Sequence, residues 1–434
     1  MKFKNIIQNL GANLLITLLG LVGSIILARW LGPSQRGVFA AIILFPAILQ
    51  YFVNFGLSST TVYFTAKQNS NKYTIWNTLI LLGFFQSLVG ILIGYFIVDM
   101  CLQQYGYTIV DLGQLYLFTI PLGLFGMYAT YILQGASQFK AINFLKCVVP
   151  VGYCVGIIFL KLQFSLSVKN LVYLQLIIQS FYLIIAIFLL YKLLLFRFNF
   201  NVDYNFIPQI LTYSVKVWFG DIAQLVNSRF DQFLIIGILS TQDLGIYTVA
   251  LSVSRLTSVF ADAVNTIMVP LVTGKNSLHE KVAETLNFFK KYWIFSIAFH
   301  TIYVLSLPIL IPVVFGNAYS EAVSICQVLV IGSFFVNAKI VLGGGISGMG
   351  FPEIMSYVEV TGLLISCTLS IIFINLYGLL GVSIAISLSY FVQFIVLIFF
   401  TNKKLIPYKN ILYTSRSDIY ENLDWLKNTS NYLK

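Results

Sequence analysis

Apolar stretches about as long as a membrane is thick recur along the whole chain. A helix needs roughly 20 predominantly apolar residues to cross a bilayer, and here short polar segments separate runs of that length. The pattern predicts an all-α polytopic membrane protein with about twelve transmembrane helices. The predicted spans are residues 7–29, 38–59, 75–98, 112–134, 141–161, 170–195, 209–239, 244–272, 288–315, 319–342, 353–376 and 378–401.

The seventh predicted span carries four charged residues, Lys216, Asp221, Arg229 and Asp231. Even lenient insertion scales assign about 2.5–3.5 kcal/mol to a charge in hydrocarbon, so these side chains need water or a partner. At 100° per residue, Lys216, Asp221 and Asp231 share one arc with Gln224, Asn227 and Ser228. Apolar residues and Arg229 fill the opposite arc. We therefore expect one face toward lipid or neighbouring helices and one toward a polar cavity, which suggests a transporter.

Composition and charge agree with a membrane protein. The chain is 59% hydrophobic and 9% charged, whereas soluble domains average about 25% charged residues. Eighteen of the 26 Lys and Arg residues fall on one side of the predicted membrane and four on the other. Because cytoplasmic loops are enriched in Lys and Arg, both termini are expected in the cytoplasm. The net charge of +11 therefore does not indicate nucleic-acid binding. The five cysteines have no metal-ligand spacing, and no cofactor or metal is expected.

Two similar motifs lie 208 residues apart. Leu31–Phe39 enters the second span and Leu239–Tyr247 enters the eighth in the same register, and this offset aligns Asn13 with Asp221. Duplicated halves are typical of transporters. The repeat predicts an N-lobe (1–195), a cytoplasmic linker (196–208), a C-lobe (209–402) and a cytoplasmic tail (403–434). Four residues of the motifs are expected to form an outer gate: Gly32, Pro33, Gly37 and Gly245.

Several motifs together resemble a known family. The segments Arg29–Gly37, Arg229–Gln232, Leu244–Ala250 and Gly378–Ala385 look like those of the polysaccharide-repeat-unit flippases. These are the Wzx-type branch of the multidrug/oligosaccharidyl-lipid/polysaccharide exporter superfamily. The resemblance covers residues 1 to about 402. It implies two six-helix lobes in a V around a central cavity, in a bacterial plasma (inner) membrane.

The cargo that the resemblance implies is an undecaprenyl-diphosphate-linked oligosaccharide, moved from the cytoplasmic to the outer leaflet. Membrane lipids are implied partners, and a polysaccharide polymerase is a candidate partner. The choice among O-antigen, capsule and teichoic-type polymers stays open, as does the energy source.

A diphosphate cargo needs cations in a wet cavity. Lys216 lies on the polar arc, Arg255 heads a polar stripe of the eighth span that includes Asp262, and Lys339 lies in the tenth span. We expect Lys216, Arg255 and Lys339 to bind the diphosphate. The pairs Lys216–Asp221 and Arg255–Asp262 could instead be structural ion pairs. The other expected cavity residues, which are polar or candidates for ion coupling, are Asn13, Asp221, Gln224, Asp231 and Asp262.

Two other functions compete with the flippase. A small-molecule or cation antiporter of the same superfamily would favour a buried carboxylate in the amino-terminal lobe, and no predicted span there has an interior acid. A membrane-integral sugar polymerase or ligase would need outer loops with catalytic residues, whereas the predicted outer loops are short. The protein is therefore not expected to be an enzyme. The glycine run Gly343–Gly345 lacks the Lys-Ser/Thr of a phosphate-binding loop and is expected to break the tenth helix.

The charge distribution generates a prediction about topology. In a cysteine-free variant, single cysteines at Gln104 and Asn317 should react with an impermeant thiol reagent added outside the cell, because both positions lie in predicted outer loops. A cysteine at Ser277 should not react, since its loop is predicted to be cytoplasmic. The reverse labelling pattern would show that the orientation is inverted.

Overall fold

The computed structural model consists of helices joined by short turns. It describes residues 3–66, 72–163, 166–194 and 202–404, without the side chains of several residues that include Lys216 and Gln224. Nearly all of the predicted tail and about half of the predicted linker lie outside these ranges. The described ranges contain no strand, so the all-α prediction is confirmed.

Thirteen α-helices and three 3₁₀ turns make up the described chain. The α-helices are α1 (Phe3–Asn54), α2 (Leu57–Ala66), α3 (Lys72–Leu102), α4 (Tyr107–Tyr116), α5 (Thr119–Gly135), α6 (Phe139–Gln163), α7 (Val168–Leu194), α8 (Phe206–Ile238), α9 (Thr241–Ser254), α10 (Ser258–Thr273), α11 (Leu278–Phe315), α12 (Ala322–Met349) and α13 (Pro352–Lys404). The 3₁₀ turns are Gln103–Tyr105, Arg255–Thr257 and Asn317–Tyr319.

These helices supply all twelve predicted spans. Nine helical segments of the described chain are long and apolar enough to cross a membrane. Two of them, in α1 and α13, each contain two spans, because Gly32 (φ 70°) and Gly378 (φ 57°) interrupt the helix. Positive φ is readily adopted only by glycine. Helix α8, with its charged arc, is the remaining span.

Three spans contain breaks that the hydrophobic pattern does not show. The second span breaks at Phe55 and Gly56, whose φ values are 53° and 72°. The fourth breaks between α4 and α5, where Pro121 follows Leu117 by four residues. A proline ring clashes with the carbonyl four residues earlier, which explains this turn. The eighth span contains the 3₁₀ turn that begins at Arg255, and this break holds one of the predicted site residues.

The glycine run Gly343–Gly345 does not break its helix, so that expectation is wrong. Helix α12 continues through the run to Met349. A Cβ at Gly343 would overlap Met355, and one at Gly345 would overlap Thr285. Small residues let membrane helices approach closely. The run therefore serves packing of α12 against α13 and α11.

Contacts divide the chain into two compact units, Met1–Val249 and Ala250–Lys434. In the first unit, α8 packs against α1 and α2, although the repeat assigns α8 to the second half of the chain. In the second unit, α10 to α13 enclose a core that includes Phe289, Leu342 and Phe394. The lobe boundaries derived from the repeat stay a prediction.

Candidate transport pathway

The apolar arc of α8 is occupied by protein. Trp218 donates from Nε1 to the carbonyl oxygen of Phe52 at 2.9 Å. Nearer the other end of α8, the ring of Phe233 meets that of Phe45 edge to face, with centroids 6.4 Å apart. Helix α8 therefore lies along α1 over much of its length, and its polar arc is on the opposite side of the helix.

At the predicted cytoplasmic end, polar and aromatic contacts join α8 to α2. Ser214 Oγ donates to Thr60 Oγ1 at 3.0 Å, and both side chains are fully buried. The ring of Tyr213 stacks on that of Tyr63 with centroids 4.6 Å apart. This end of α8 is thus closed against the amino-terminal helices. We call these contacts, with Trp218–Phe52, the inner closure.

At the predicted outer end, the backbones of α1 and α9 touch at two glycines. A Cβ on Gly37 would overlap the Thr241 carbonyl, and a Cβ on Gly245 would overlap the Pro33 carbonyl. Gly32 precedes this contact and bends α1. The structure therefore brings together the four residues predicted as an outer gate. The gate role itself stays a prediction, and we call these contacts the outer closure.

Arg36, which was not among the predicted site residues, reinforces the outer closure. Its side chain is buried, at 6% exposure. The guanidinium donates to the Ser24 carbonyl and to Ser24 Oγ, both at 2.7 Å, and to Thr248 Oγ1 at 3.1 Å. Arg36 therefore ties both halves of the bent helix α1 to α9. The sequence contains a signal that could have identified Arg36. The repeat aligns it with the uncharged Leu244, so only one of the two motifs carries a charge at this position.

Asp231, predicted to be a cavity residue, lies in the packed junction of α8 and α9. It is 8% exposed. Its Oδ2 accepts from the hydroxyl of the fully buried Tyr247 at 2.6 Å, and its Oδ1 accepts from the backbone N–H of Gln232 at 2.8 Å. This geometry favours an anchoring role for Asp231, which joins α8 to α9.

Two other predicted cavity residues of the first unit are accessible. Asn13 is exposed on α1, and Asp221 is half-buried on α8. The side chains of Lys216 and Gln224, predicted to share the arc of Asp221, are outside the described part of the structure. Accessible polar groups on membrane-spanning helices need water, as the predicted polar pathway requires.

In the second unit, Arg255 and Asp262 are both exposed. The described side chains give Arg255 no ion pair with Asp262, which lies seven residues away or roughly 10 Å along a helix. The 3₁₀ turn of Arg255 is anchored through the fully buried Thr257, whose hydroxyl lies 2.9 Å from Ser333 Oγ and accepts from Asn337 Nδ2 at 2.9 Å. The break is thus fixed at its buried side and presents Arg255 at its accessible side.

Lys339, predicted to bind cargo, has protein partners in the second unit. Its Nζ donates to Glu359 Oε1 and to Gln393 Oε1, both at 2.6 Å. The Lys339 side chain is 6% exposed, whereas that of Glu359 is 45% exposed. An ammonium has three hydrogens to donate, and two of them are used within the protein. The placement favours a structural ion pair between α12 and α13 over contact with cargo.

Comparison with known sequences gives the family. A family model described as polysaccharide biosynthesis protein matches residues 26–324, which is more than half of the chain. The chain belongs to the polysaccharide biosynthesis protein family. This confirms the family predicted from the motifs. The chain is also 24% identical over 382 residues to an uncharacterised membrane protein, MJ1375, of Methanocaldococcus jannaschii, and the match covers 83% of this chain and 88% of that protein.

Solved structures of two kinds of transporter share the fold of this polysaccharide biosynthesis protein. It matches the lipid II flippase MurJ in an inward closed conformation with a TM-score of 0.78 and 16% identity, over 96% of this chain and 92% of that chain. It matches an inward-facing multidrug resistance transporter of the MATE family with a TM-score of 0.70 and 17% identity, over 92% of this chain and 96% of that chain. The chain therefore shares its fold with these two transporters.

The Lys339 ion pair generates a prediction about stability. Replacing Glu359 with Gln leaves a buried ammonium without a counter-charge, and an unpaired buried charge costs about 3–5 kcal/mol. Replacing Lys339 with Met leaves a half-exposed carboxylate and should cost less. The Glu359→Gln variant should therefore show the lower midpoint of thermal unfolding in detergent.

The double variant Lys339→Met/Glu359→Gln is the control, and it should recover most of the lost stability. If it is stable and still exports polysaccharide, Lys339 is structural. A stable double variant that has lost export would instead indicate that Lys339 binds cargo. Parent-like unfolding of both single variants would show that the pair contributes nothing.

The outer closure generates a second prediction. Gly245→Ala forces a methyl group onto the Pro33 carbonyl, and overpacking costs about 1–3 kcal/mol, so the outward-open population should rise by about tenfold. A single cysteine at Thr248 should then react correspondingly faster with an impermeant thiol reagent added outside. Gly20→Ala is the matched control, because a Cβ there meets no atom within 4 Å. Equal labelling rates in the two variants would mean that this contact is no barrier.

Proposed function

We propose that the protein is a flippase that moves an undecaprenyl-diphosphate-linked oligosaccharide from the inner to the outer leaflet of a bacterial plasma membrane, with both termini in the cytoplasm. Membership of the polysaccharide biosynthesis family and a fold shared with a lipid II flippase support this proposal. Such a cargo keeps its polyprenyl chain in lipid and needs a polar path only for its head. The protein moves cargo and catalyses no bond change, and a polysaccharide polymerase is the partner that uses the product.

The observation that carries the proposal is Arg255. It is exposed on a spanning segment, at a break held by Thr257, and no described side chain pairs with it. A charge facing hydrocarbon would cost about 2.5–3.5 kcal/mol, so Arg255 faces water or an anion. A guanidinium matches phosphate oxygens with two parallel hydrogen bonds. We assign Arg255, together with Lys216, to the diphosphate, and Lys339 to support of the second unit.

The two closures supply the conformational part of the proposal. Helix α8 is closed against α2 at the cytoplasmic end, and α9 is closed against α1 at the outer end. Transport by alternating access requires each closure to open while the other holds. The inner closure involves α8 and the outer closure involves α9. The hydrogen bond between Asp231 and Tyr247 connects these two helices.

A cation antiporter of the same superfamily is the second candidate, because a multidrug transporter shares the fold. Asp221 and Asp262 are accessible carboxylates on spanning helices and could bind a cationic drug or a coupling ion. In the flippase, these acids instead keep the pathway hydrated and tune its field. Asp221→Asn should then weaken export modestly and should not abolish it.

The decisive experiment is a charge series at Arg255. Arg255→Ala should lower export of surface polysaccharide by about 10- to 100-fold, because a hydrogen bond to a charged group contributes about 1.5–3 kcal/mol. Arg255→Lys should keep part of the activity, since a phosphate accepts either cation. Asp262→Asn, on the same predicted span, is the matched comparison and should weaken export only modestly, as expected for Asp221→Asn. Membrane abundance is checked by immunoblot.

Three outcomes would contradict the proposal. Normal export by Arg255→Ala at normal abundance would remove Arg255 from the cargo site. Complete loss of export in Asp221→Asn, with parent transport that stops when a proton or sodium gradient is collapsed, would show that an ion is coupled at this carboxylate. Resistance to cationic drugs in place of polysaccharide export would favour the antiporter.

A further inference from the structure

A pocket of about 500 Å³ opens in the first unit at the predicted outer ends of α3 and α8, where Phe45 of α1 also lines it. Its volume falls in the range of small-ligand sites, about 300–1,000 Å³. The 3₁₀ turn Gln103–Tyr105 forms one wall, and the last residues of α8 form the other. Tyr105 spans the two walls, because its hydroxyl donates to the Ile236 carbonyl at 3.4 Å. The pocket does not include the residues of the polar arc of α8.

The lining is polar but carries no charge. Its polar side chains are the carboxamides of Gln103 and Gln104, and its apolar part includes Phe45, Phe233 and Cys101. A carboxamide both donates and accepts hydrogen bonds, which suits hydroxyl and amide groups better than phosphate. Aromatic rings offer flat apolar surface, which suits the C–H faces of a sugar ring. The lining therefore fits an uncharged, hydroxyl-rich ligand.

Gly237 gives the pocket its free space. It lines the cavity, and a Cβ built on it would meet no atom within 4 Å. A larger side chain at this position would fill the pocket without pressing on the backbone. The next residue, Ile238, is 46% exposed and does not line the pocket.

We propose that this pocket binds sugar residues of the lipid-linked cargo at the outer surface, as a subsite for the head group when it leaves the pathway. The proposal rests on the proposed function for the identity of the sugar and on the predicted orientation for its side of the membrane. The subsite recognises hydroxyl groups, whereas Arg255 and Lys216 recognise the diphosphate. Because one wall is α3 and the other is α8, movement of α8 would change the width of the pocket.

The transport test fills the pocket. Gly237→Trp should lower the appearance of lipid-linked oligosaccharide on the outer surface by about tenfold, since each lost hydrogen bond weakens binding by a factor of about 2 to 12. Ile238→Trp is the matched control and should transport normally. The double variant Gln103→Ala/Gln104→Ala, which changes only exposed side chains, should show an intermediate loss. Unchanged transport in Gly237→Trp and in the glutamine variant would overturn the subsite.

A binding test keeps this proposal separate from the proposed function. In a variant whose only cysteine is Cys101, an impermeant thiol reagent labels the pocket from outside. The free oligosaccharide, released by mild acid from the lipid fraction of the same cells, should slow that labelling in the parent background and not in Gly237→Trp. The same labelling is measured with the protein in vesicles of different phospholipid composition. If the labelling rate of Cys101 depends on the phospholipid and not on added oligosaccharide, the pocket binds a membrane lipid head group and the proposal is wrong. If the parent transports no lipid-linked oligosaccharide, the proposed function fails, while sugar protection of Cys101 still decides the pocket.

Discussion

The free energy of placing a charge in hydrocarbon sorts the charged residues of this protein into two groups. Arg36, Asp231 and Lys339 are buried, and each has hydrogen-bond partners at 3.1 Å or less. Arg255 and Asp262 are exposed on spanning segments. Because an isolated charge in lipid costs about 2.5–3.5 kcal/mol or more, the first group stabilises helix contacts, and we propose that the second lines a hydrated path. Structure and proposed transport both follow from this division.

The closures combine close contact with weak specific interactions. At Gly37 and Gly245 the backbones touch without any side chain between them. The hydrogen bonds of the inner closure join neutral groups, as at Ser214–Thr60 and Trp218–Phe52, and each is worth only about 0.5–1.5 kcal/mol. Contacts of this strength exclude water when formed, yet they separate at a modest cost. The Asp231–Tyr247 bond, in contrast, lies inside the pair formed by α8 and α9 and belongs to neither closure.

Hydrophobic periodicity predicted the number and order of the spans because it reports on each helix by itself. The polar arc of α8 was predicted for the same reason; of its members, Asp221 is half-buried and Asp231 is buried, and their role in a cavity stays a prediction. Partners could not be predicted, because they come from distant residues. Lys339 meets Glu359 and Gln393, which are 20 and 54 residues away, and Arg36 meets Thr248, 212 residues away. The glycines of α12 were misjudged because a glycine that breaks a helix and one that packs a helix look alike in sequence.

Cargo cannot be deduced from this fold, because a lipid II flippase and a multidrug resistance transporter both match the chain, with TM-scores of 0.78 and 0.70. Function resides in the sites that a fold carries.

A transporter of cationic drugs needs accessible acids, and a transporter of a diphosphate needs accessible bases. This chain presents Asp221 and Asp262 as well as Arg255, so the sign of charge alone does not separate the two. Arg255 differs from the two acids in the structure around it, because hydrogen bonds of Thr257 with Ser333 and Asn337 hold the turn that carries it. The anchored turn fixes the backbone position of Arg255 before a ligand arrives, and preorganisation lowers the cost of binding. Arg255 is therefore the residue on which the choice between the two functions depends.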